Sequence, residues 1–316
     1  MTKVDIISGF LGAGKTTLIS KLLKEALKGE QVVLIENEFG EIGIDGGFLK
    51  DSGVEIREMN SGCICCSLVG DFGTSLKEVV DKYHPDRIVI EPSGVGKLSD
   101  VIKAVKDLHI ENEIRLNSAS TVADASKVKV YMKNFGEFFN NQIEHAGTII
   151  LSRTQNISEE KLKKAIELIR EVNAEAHIIT TPWDDLEGAQ ILGAMENVTN
   201  LELEMLAEAA EKTHEAHEHE HHHADEVFTS WGKETPNKYD KSVLEDILKK
   251  LADTEEYGKI LRSKGILPCN DGTWMYFDLV PGEYEIRDGK ADFTGRICVI
   301  GAELKEEELE KLFNIA

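Results

Sequence analysis

The sequence predicts an α/β chain: a first domain on a mainly parallel sheet with helices on both sides, followed by a small α+β C-terminal domain. Three observations carry the prediction. Short apolar runs alternate with amphipathic helical patterns up to about residue 181, which is the texture of βαβ units. A glycine-rich loop, Gly9–Thr16, stands between the first strand and the first helix. The texture then changes after Leu192, and strand-like runs resume only at Val227.

Taken in order, the first strand is read at Val4–Ser8. The helix after the glycine loop, Thr17–Leu27, puts Leu18, Leu22, Leu23 and Leu27 on one face. Further strands are expected at Val32–Glu36, Arg87–Glu91, Ser120–Asp124, Thr148–Leu151 and His177–Thr180, with Val54–Met59 as another candidate. Helices fill the intervals; Glu159–Val172 lines up Leu162, Ile166 and Ile169. Residues 196–226 are rich in Glu, Ala and His and lack core residues, so they read as an exposed linker between domains at 1–195 and 227–316. The second domain is read as a strand at Val227–Trp231, a helix at Lys241–Leu251, strands at Thr273–Leu279, Tyr284–Arg287 and Arg296–Ile300, and a last helix at Glu306–Phe313.

Composition narrows the function. With 316 residues the chain can bury a large core and needs no disulfide scaffold. It carries 36 Lys and Arg against 58 Asp and Glu, a net charge of −22. Such a surface repels nucleic-acid phosphates and anionic headgroups, so neither nucleic acid nor a membrane is an expected partner. There is no 18-residue apolar run and no signal-peptide pattern at Met1–Ser8. Three of the five cysteines share a four-residue window, a poor disulfide framework that suits a reducing cytoplasm.

The most specific motif is Gly9, Phe10, Leu11, Gly12, Ala13, Gly14, Lys15, Thr16, which fits G-x-x-x-x-G-K-[ST] between a strand and a helix. It marks a P-loop NTPase domain. Backbone N–H groups of such a loop wrap phosphates, and the helix that follows adds its positive end. Lys15 is expected on the β- and γ-phosphates and Thr16 on Mg²⁺. Glu91 closes the apolar run Ile88–Ile90 and precedes a small-residue turn, Pro92–Gly94, the place for an acid on the Mg²⁺ side.

Cys63, Cys65 and Cys66 offer three soft donors to one ion. Thiolates favour Zn²⁺ and other thiophilic ions such as Co²⁺, and three donors leave a fourth position open, which suits transfer better than storage. Glu36, Glu38 and Glu41 stand ahead of the cluster and could complete either metal shell, or be solvated loop acids. His214, His217, His219, His221, His222 and His223, interleaved with Glu, could gather ions, or form a low-complexity linker. The solitary Cys269 and Cys298 read as core residues.

These residues resemble the CobW family of P-loop GTPases. Gly9–Thr16 with Thr17 matches its Gly-Phe-Leu-Gly-Ala-Gly-Lys-Thr-Thr loop, Glu36–Gly40 its Glu-Asn-Glu-Phe-Gly segment, Gly62–Cys66 its Gly-Cys-x-Cys-Cys signature, and Glu91–Gly94 its Glu-x-[Ser/Thr]-Gly turn. Val227–Trp231, Arg262–Gly265, Val280–Gly282, Gly295–Arg296 and Ile300–Gly301 extend the likeness over nearly the whole chain. The resemblance implies a GTP-hydrolysing metal chaperone or insertase. Its cargo would be Zn²⁺ or Co²⁺ at the cysteine loop, coupled to GTP and Mg²⁺. Its partner would be a client metalloprotein, and relatives of this kind are often dimers.

One segment departs from the family. Where its Asn/Thr-Lys-x-Asp motif reads guanine, this chain has Ser152, Arg153, Thr154 and Gln155. An aspartate accepts two hydrogen bonds from guanine with full charge, whereas Gln155 offers a neutral amide oxygen. Arg153 can replace the lysine stem, though not identically. Guanine discrimination is therefore expected to be weakened, or the base preference to differ, and three other readings stay open. One is a metal buffer that works without nucleotide. Another is a P-loop NTPase with relaxed base specificity, using ATP or GTP. The third is a small-molecule or protein kinase that uses ATP.

Overall fold

Seven strands form the first sheet: β1 (Thr2–Gly9), β2 (Val32–Glu36), β3 (Glu55–Glu58), β4 (Arg87–Glu91), β5 (Ile114–Asp124), β6 (Thr148–Ser152) and β7 (His177–Ile179). In this computed structural model the described residues are 1–36, 55–58, 69–108, 112–196 and 229–315, with 55–58 and 69–75 described as backbone. The strand order is β3-β2-β4-β1-β5-β6-β7, and every pairing is parallel. The helices are α1 (Lys15–Glu25), α2 (Val69–Tyr83), α3 (Leu98–Lys106), α4 (Val128–Asn134), α5 (Gly136–Glu144), α6 (Glu159–Val172) and α7 (Gly188–Met195).

A parallel sheet covered on both faces needs strands that are apolar on both, which is why β2 reads Val-Val-Leu-Ile-Glu and is buried throughout. Val4, Ile6, Val33, Ile35, Ile88 and Ile90 enter one core with Leu76, Leu98, Phe139, Ile143 and Ile169 from α2, α3, α5 and α6. Ile7, Leu34 and Val89 are also buried, and α1 packs on α7. The expected strands are all present. The first helix starts and ends two residues earlier than its periodicity suggested.

β5 is longer than expected because its first half is polar. Arg115, Asn117 and Ser118 break the apolar signal, yet Asn117 Nδ2 and Ser118 Oγ donate to Asp5 of β1 at 2.8 and 2.6 Å. β1 and β5 shift register between Val4 and Asp5 to make this fit. Asp5 is also paired with Arg87, whose side chain is 1% exposed. Arg87 further bonds Glu30 at 2.7 Å and Glu196 at 2.9 Å, and Lys3 joins Glu196 at 3.1 Å.

Backbone contacts divide the chain into Met1–Val198 and Thr199–Ala316. The second unit holds β8 (Thr229–Thr235), α8 (Lys241–Asp253), β9 (Lys259–Pro268), β10 (Trp274–Val280), β11 (Glu283–Gly289), β12 (Gly295–Ala302) and α9 (Glu306–Leu312). Its sheet is antiparallel throughout, in the order β11-β10-β9-β12-β8. Leu244, Leu248 and Leu251 of α8 and Leu309 of α9 pack with Trp231, Leu267, Phe277 and Val299. The unit is α+β as expected, but β9, between β10 and β12, is a strand the sequence reading lacked. Cys269 and Cys298 are buried, as solitary cysteines should be.

Candidate nucleotide site

Ligands of open parallel sheets sit at the carboxyl ends of the strands. The glycine loop leaves β1 there and enters α1, whose N-terminus has no side-chain cap and no acid in its first turn. The first-turn N–H groups and the positive end of such a helix form a ready site for an anion. Gly14, the N-cap, has φ 107°, a left-handed conformation that favours glycine. Phe10 does not line the site with its side chain. It is 5% exposed and packs on Tyr131, Phe135 and Phe139 with ring centroids 4.7, 5.0 and 6.2 Å away. This anchors the loop and leaves Phe10 its backbone to offer a ligand. Leu11, by contrast, is exposed.

On the β4 side, Lys15 Nζ lies 3.8 Å from Glu91 Oε1 and Thr16 Oγ1 donates to the same oxygen at 3.5 Å. The three residues that the motifs assigned to phosphate and Mg²⁺ are thus brought together. A hydroxyl beside a half-buried carboxylate and an ammonium is the donor set that Mg²⁺ and a triphosphate require. The turn after Glu91 is pressed onto the loop. A Cβ on Gly94 would lie 2.9 Å from Leu11 N, so only glycine lets the two backbones approach.

Glu36, 8% exposed, ends β2 directly opposite Glu91 of β4 and opposite Glu58 of β3. Three glutamates therefore end neighbouring strands in one register. Glu58 was not singled out in the sequence, where its only signal is its place at the end of the strand that runs into the cysteine segment. Cys63, Cys65, Cys66, Glu38, Glu41 and the six histidines of His214–His223 lie outside the described residues. Among the described residues no group of three His, Cys, Asp or Glu side chains is placed to hold a metal ion.

On the other side, β6 and β7 bring two loops to the phosphate loop. Ser152 Oγ donates to Ala13 O at 2.7 Å. Arg153 takes a left-handed conformation, φ 58°, and its guanidinium pairs with Asp124 and donates to Gly12 O at 2.9 Å. Its charge braces the phosphate loop against β5. Gln155 is exposed on the short turn Thr154–Asn156. After β7, Trp183 Nε1 donates to Leu151 O at 3.0 Å, and the ring reaches Gly14, where a Cβ would meet it at 3.3 Å. Thr17 follows Thr16 in the first turn of α1.

No described helix is long and apolar enough to cross a membrane. Residues 3–180 match the family model "CobW/HypB/UreG, nucleotide-binding domain", and residues 228–316 match "Cobalamin synthesis protein cobW C-terminal domain". A zinc chaperone CobW of Sinorhizobium sp is 30% identical over 288 residues, which are 82% of this chain and 79% of that protein. The zinc-regulated GTPase metalloprotein activator 1 of Schizosaccharomyces pombe is 28% identical over 319 residues, 90% of this chain and 76% of that protein. The crystal structure of the Zn(II)-bound YjiA GTPase from E. coli aligns at 25% identity with a TM-score of 0.47, covering 99% of this chain and 98% of that one. With a phosphate loop and an acid gathered at the carboxyl ends of one sheet, and both of its halves matched in order, the chain belongs to the CobW/HypB/UreG family and carries the CobW C-terminal domain.

Proposed function

We propose that the chain is a GTP-hydrolysing metal chaperone that binds Zn²⁺ or Co²⁺ as cargo at Cys63, Cys65 and Cys66 and delivers it to a client metalloprotein. Family membership supports the GTPase, and the names of the zinc chaperone and zinc-regulated relatives support the metal. One observation carries the coupling of the two. The strand that enters the cysteine segment ends at Glu58, in register with Glu36 and Glu91, and Glu91 stands 3.8 Å from Lys15. Cargo segment and phosphate site thus leave the same edge of one sheet.

In this reading the N–H groups at the start of α1 and Lys15 hold the β- and γ-phosphates. Thr16 and Glu91 hold Mg²⁺, which supplies neutralisation of charge on the transferring phosphoryl group. The nucleotide state biases the chain from Glu36 to Cys66, and that bias alters metal affinity or client docking. Glu38 or Glu41 completes the metal shell, and the histidines of the linker at 196–226 gather ions. Turnover without a partner is slow, as in other switches.

The test is GTP and ATP turnover by metal-free protein with Mg²⁺, titrated with Zn²⁺ and with Co²⁺, for the native chain and a Cys65→Ala/Cys66→Ala variant. Turnover that responds to metal only with the cysteines intact supports the proposal. Tight metal binding with no turnover, or turnover indifferent to metal, refutes it.

A further inference from the structure

We propose that Trp183 is the wall against which the nucleotide base stacks, so that this site holds a purine by aromatic contact where the family's aspartate is missing. The inference rests on the nucleotide site proposed above and assigns its base-binding end. The Mg²⁺ side is fixed at β4, where Glu91 meets Lys15 and Thr16. β1 has β4 on one side, and β5, β6 and β7 follow on its other side. A triphosphate with its γ end toward Glu91 must therefore run its nucleoside over the start of α1 toward β6 and β7.

Among the described residues, Ser152, Arg153 and Trp183 reach the phosphate loop from there. Ser152 is committed to Ala13 O and Arg153 to Asp124 and Gly12 O, so both brace the loop. Trp183 is the third. Its N–H is satisfied by Leu151 O, which fixes the indole, and its six-membered ring lies beside Gly14 with Ser152 Cβ nearby. The ring is half-buried, so part of it remains accessible. Its rigid placement costs a ligand little ordering entropy.

A base–aromatic stack changes affinity by about 5- to 150-fold when the ring is removed, and it tolerates different bases because each has a π-face. Charged readout by an aspartate is lost at Gln155, which is exposed on the neighbouring turn. Stacking then carries most of the base affinity, and GTP and ATP should bind within about tenfold of each other.

The chain reports on itself. Trp231 and Trp274, 2% and 8% exposed, lie in the second unit, so Trp183 is the half-buried tryptophan next to the phosphate loop. Tryptophan emission would be followed on adding GTP, ATP and inorganic tripolyphosphate with Mg²⁺, with binding measured in parallel by calorimetry. We expect quenching by GTP and ATP, little by tripolyphosphate, and none in Trp183→Phe. Trp183→Ala should weaken GTP by about tenfold or more while tripolyphosphate is bound as before, and Trp183→Phe should recover most of the GTP affinity. Equal loss of GTP and tripolyphosphate in Trp183→Ala would show a merely structural role and overturn the inference. So would nucleotide binding that leaves Trp183 emission unchanged. If calorimetry finds no binding of any of the three by the native chain, the nucleotide site itself fails and the inference with it.

Discussion

Arg87→Met tests whether the buried charge cluster at the start of β4 holds the first unit together. The guanidinium is 1% exposed and its partner Asp5 is 2% exposed. Removing one member of a buried, hydrogen-bonded pair costs about 3–5 kcal/mol, because the other charge is stranded. Asn117 and Ser118 would still donate to Asp5, which keeps the loss from being larger. Glu30 is 36% exposed, so its share is screened and adds at most about 1 kcal/mol. We expect a loss of about 4 kcal/mol, which for a unit of this size lowers Tm by about 8–16 °C. Calorimetry and urea melts would measure it. Because the loss comes from a stranded carboxylate, adding Asp5→Asn should restore part of it. Arg87 and Glu91 stand at opposite ends of β4, about 13 Å apart at the usual rise per residue, so GTP turnover per folded molecule should not change. A loss below about 1 kcal/mol, or a double variant no more stable than Arg87→Met, would refute the reasoning.

Two further outcomes follow from the packing. Gly94→Val places a Cβ against the backbone of Leu11 and must displace the phosphate loop or the Glu91 turn, so single-turnover GTP hydrolysis should fall by about 10- to 100-fold; an unchanged rate would show that the contact is not needed. In the second unit, burial pushes the Tyr239 hydroxyl up to about 12, against the opposing bonds of Asn237 and Thr235, and the hydroxyl donates to Phe313 O at 2.6 Å. The neutral form is thus favoured in the folded state, so its stabilisation is complete below the unfolded value near 10 and is lost as pH rises toward about 12, a change of about 2–3 kcal/mol. Melts of the native chain between pH 9 and 12 should fall more steeply than those of Tyr239→Phe; parallel curves would sink this account.

Much of the site was legible because its signals are local. A strand, a glycine loop and a helix that bind phosphate must follow one another within about twenty residues, so Gly9–Thr16 announces itself. Strands buried on both faces are continuous apolar runs, and β2, β4 and β6 were placed to within a residue. The misses are residues whose partners are distant in sequence. β9 interrupts its apolar residues with Arg262, Lys264 and Gly265, and only pairing with β10 and β12 makes it a strand. The polar start of β5 is a strand because Asp5 of β1 receives its donors.

The sequence by itself determined the chemistry on offer: a phosphate loop, an acid at a strand end, a thiolate window and a missing guanine-reading aspartate. The tertiary structure decided how that chemistry is deployed. Sheet order set Glu58, Glu36 and Glu91 in one row, laid the charge of Arg153 against the phosphate loop as a brace, and carried Trp183 from the far end of the sheet to Gly14. A residue's type follows from the chain, but its neighbours follow from which strands pair, and that choice is settled by long-range burial that no local pattern encodes.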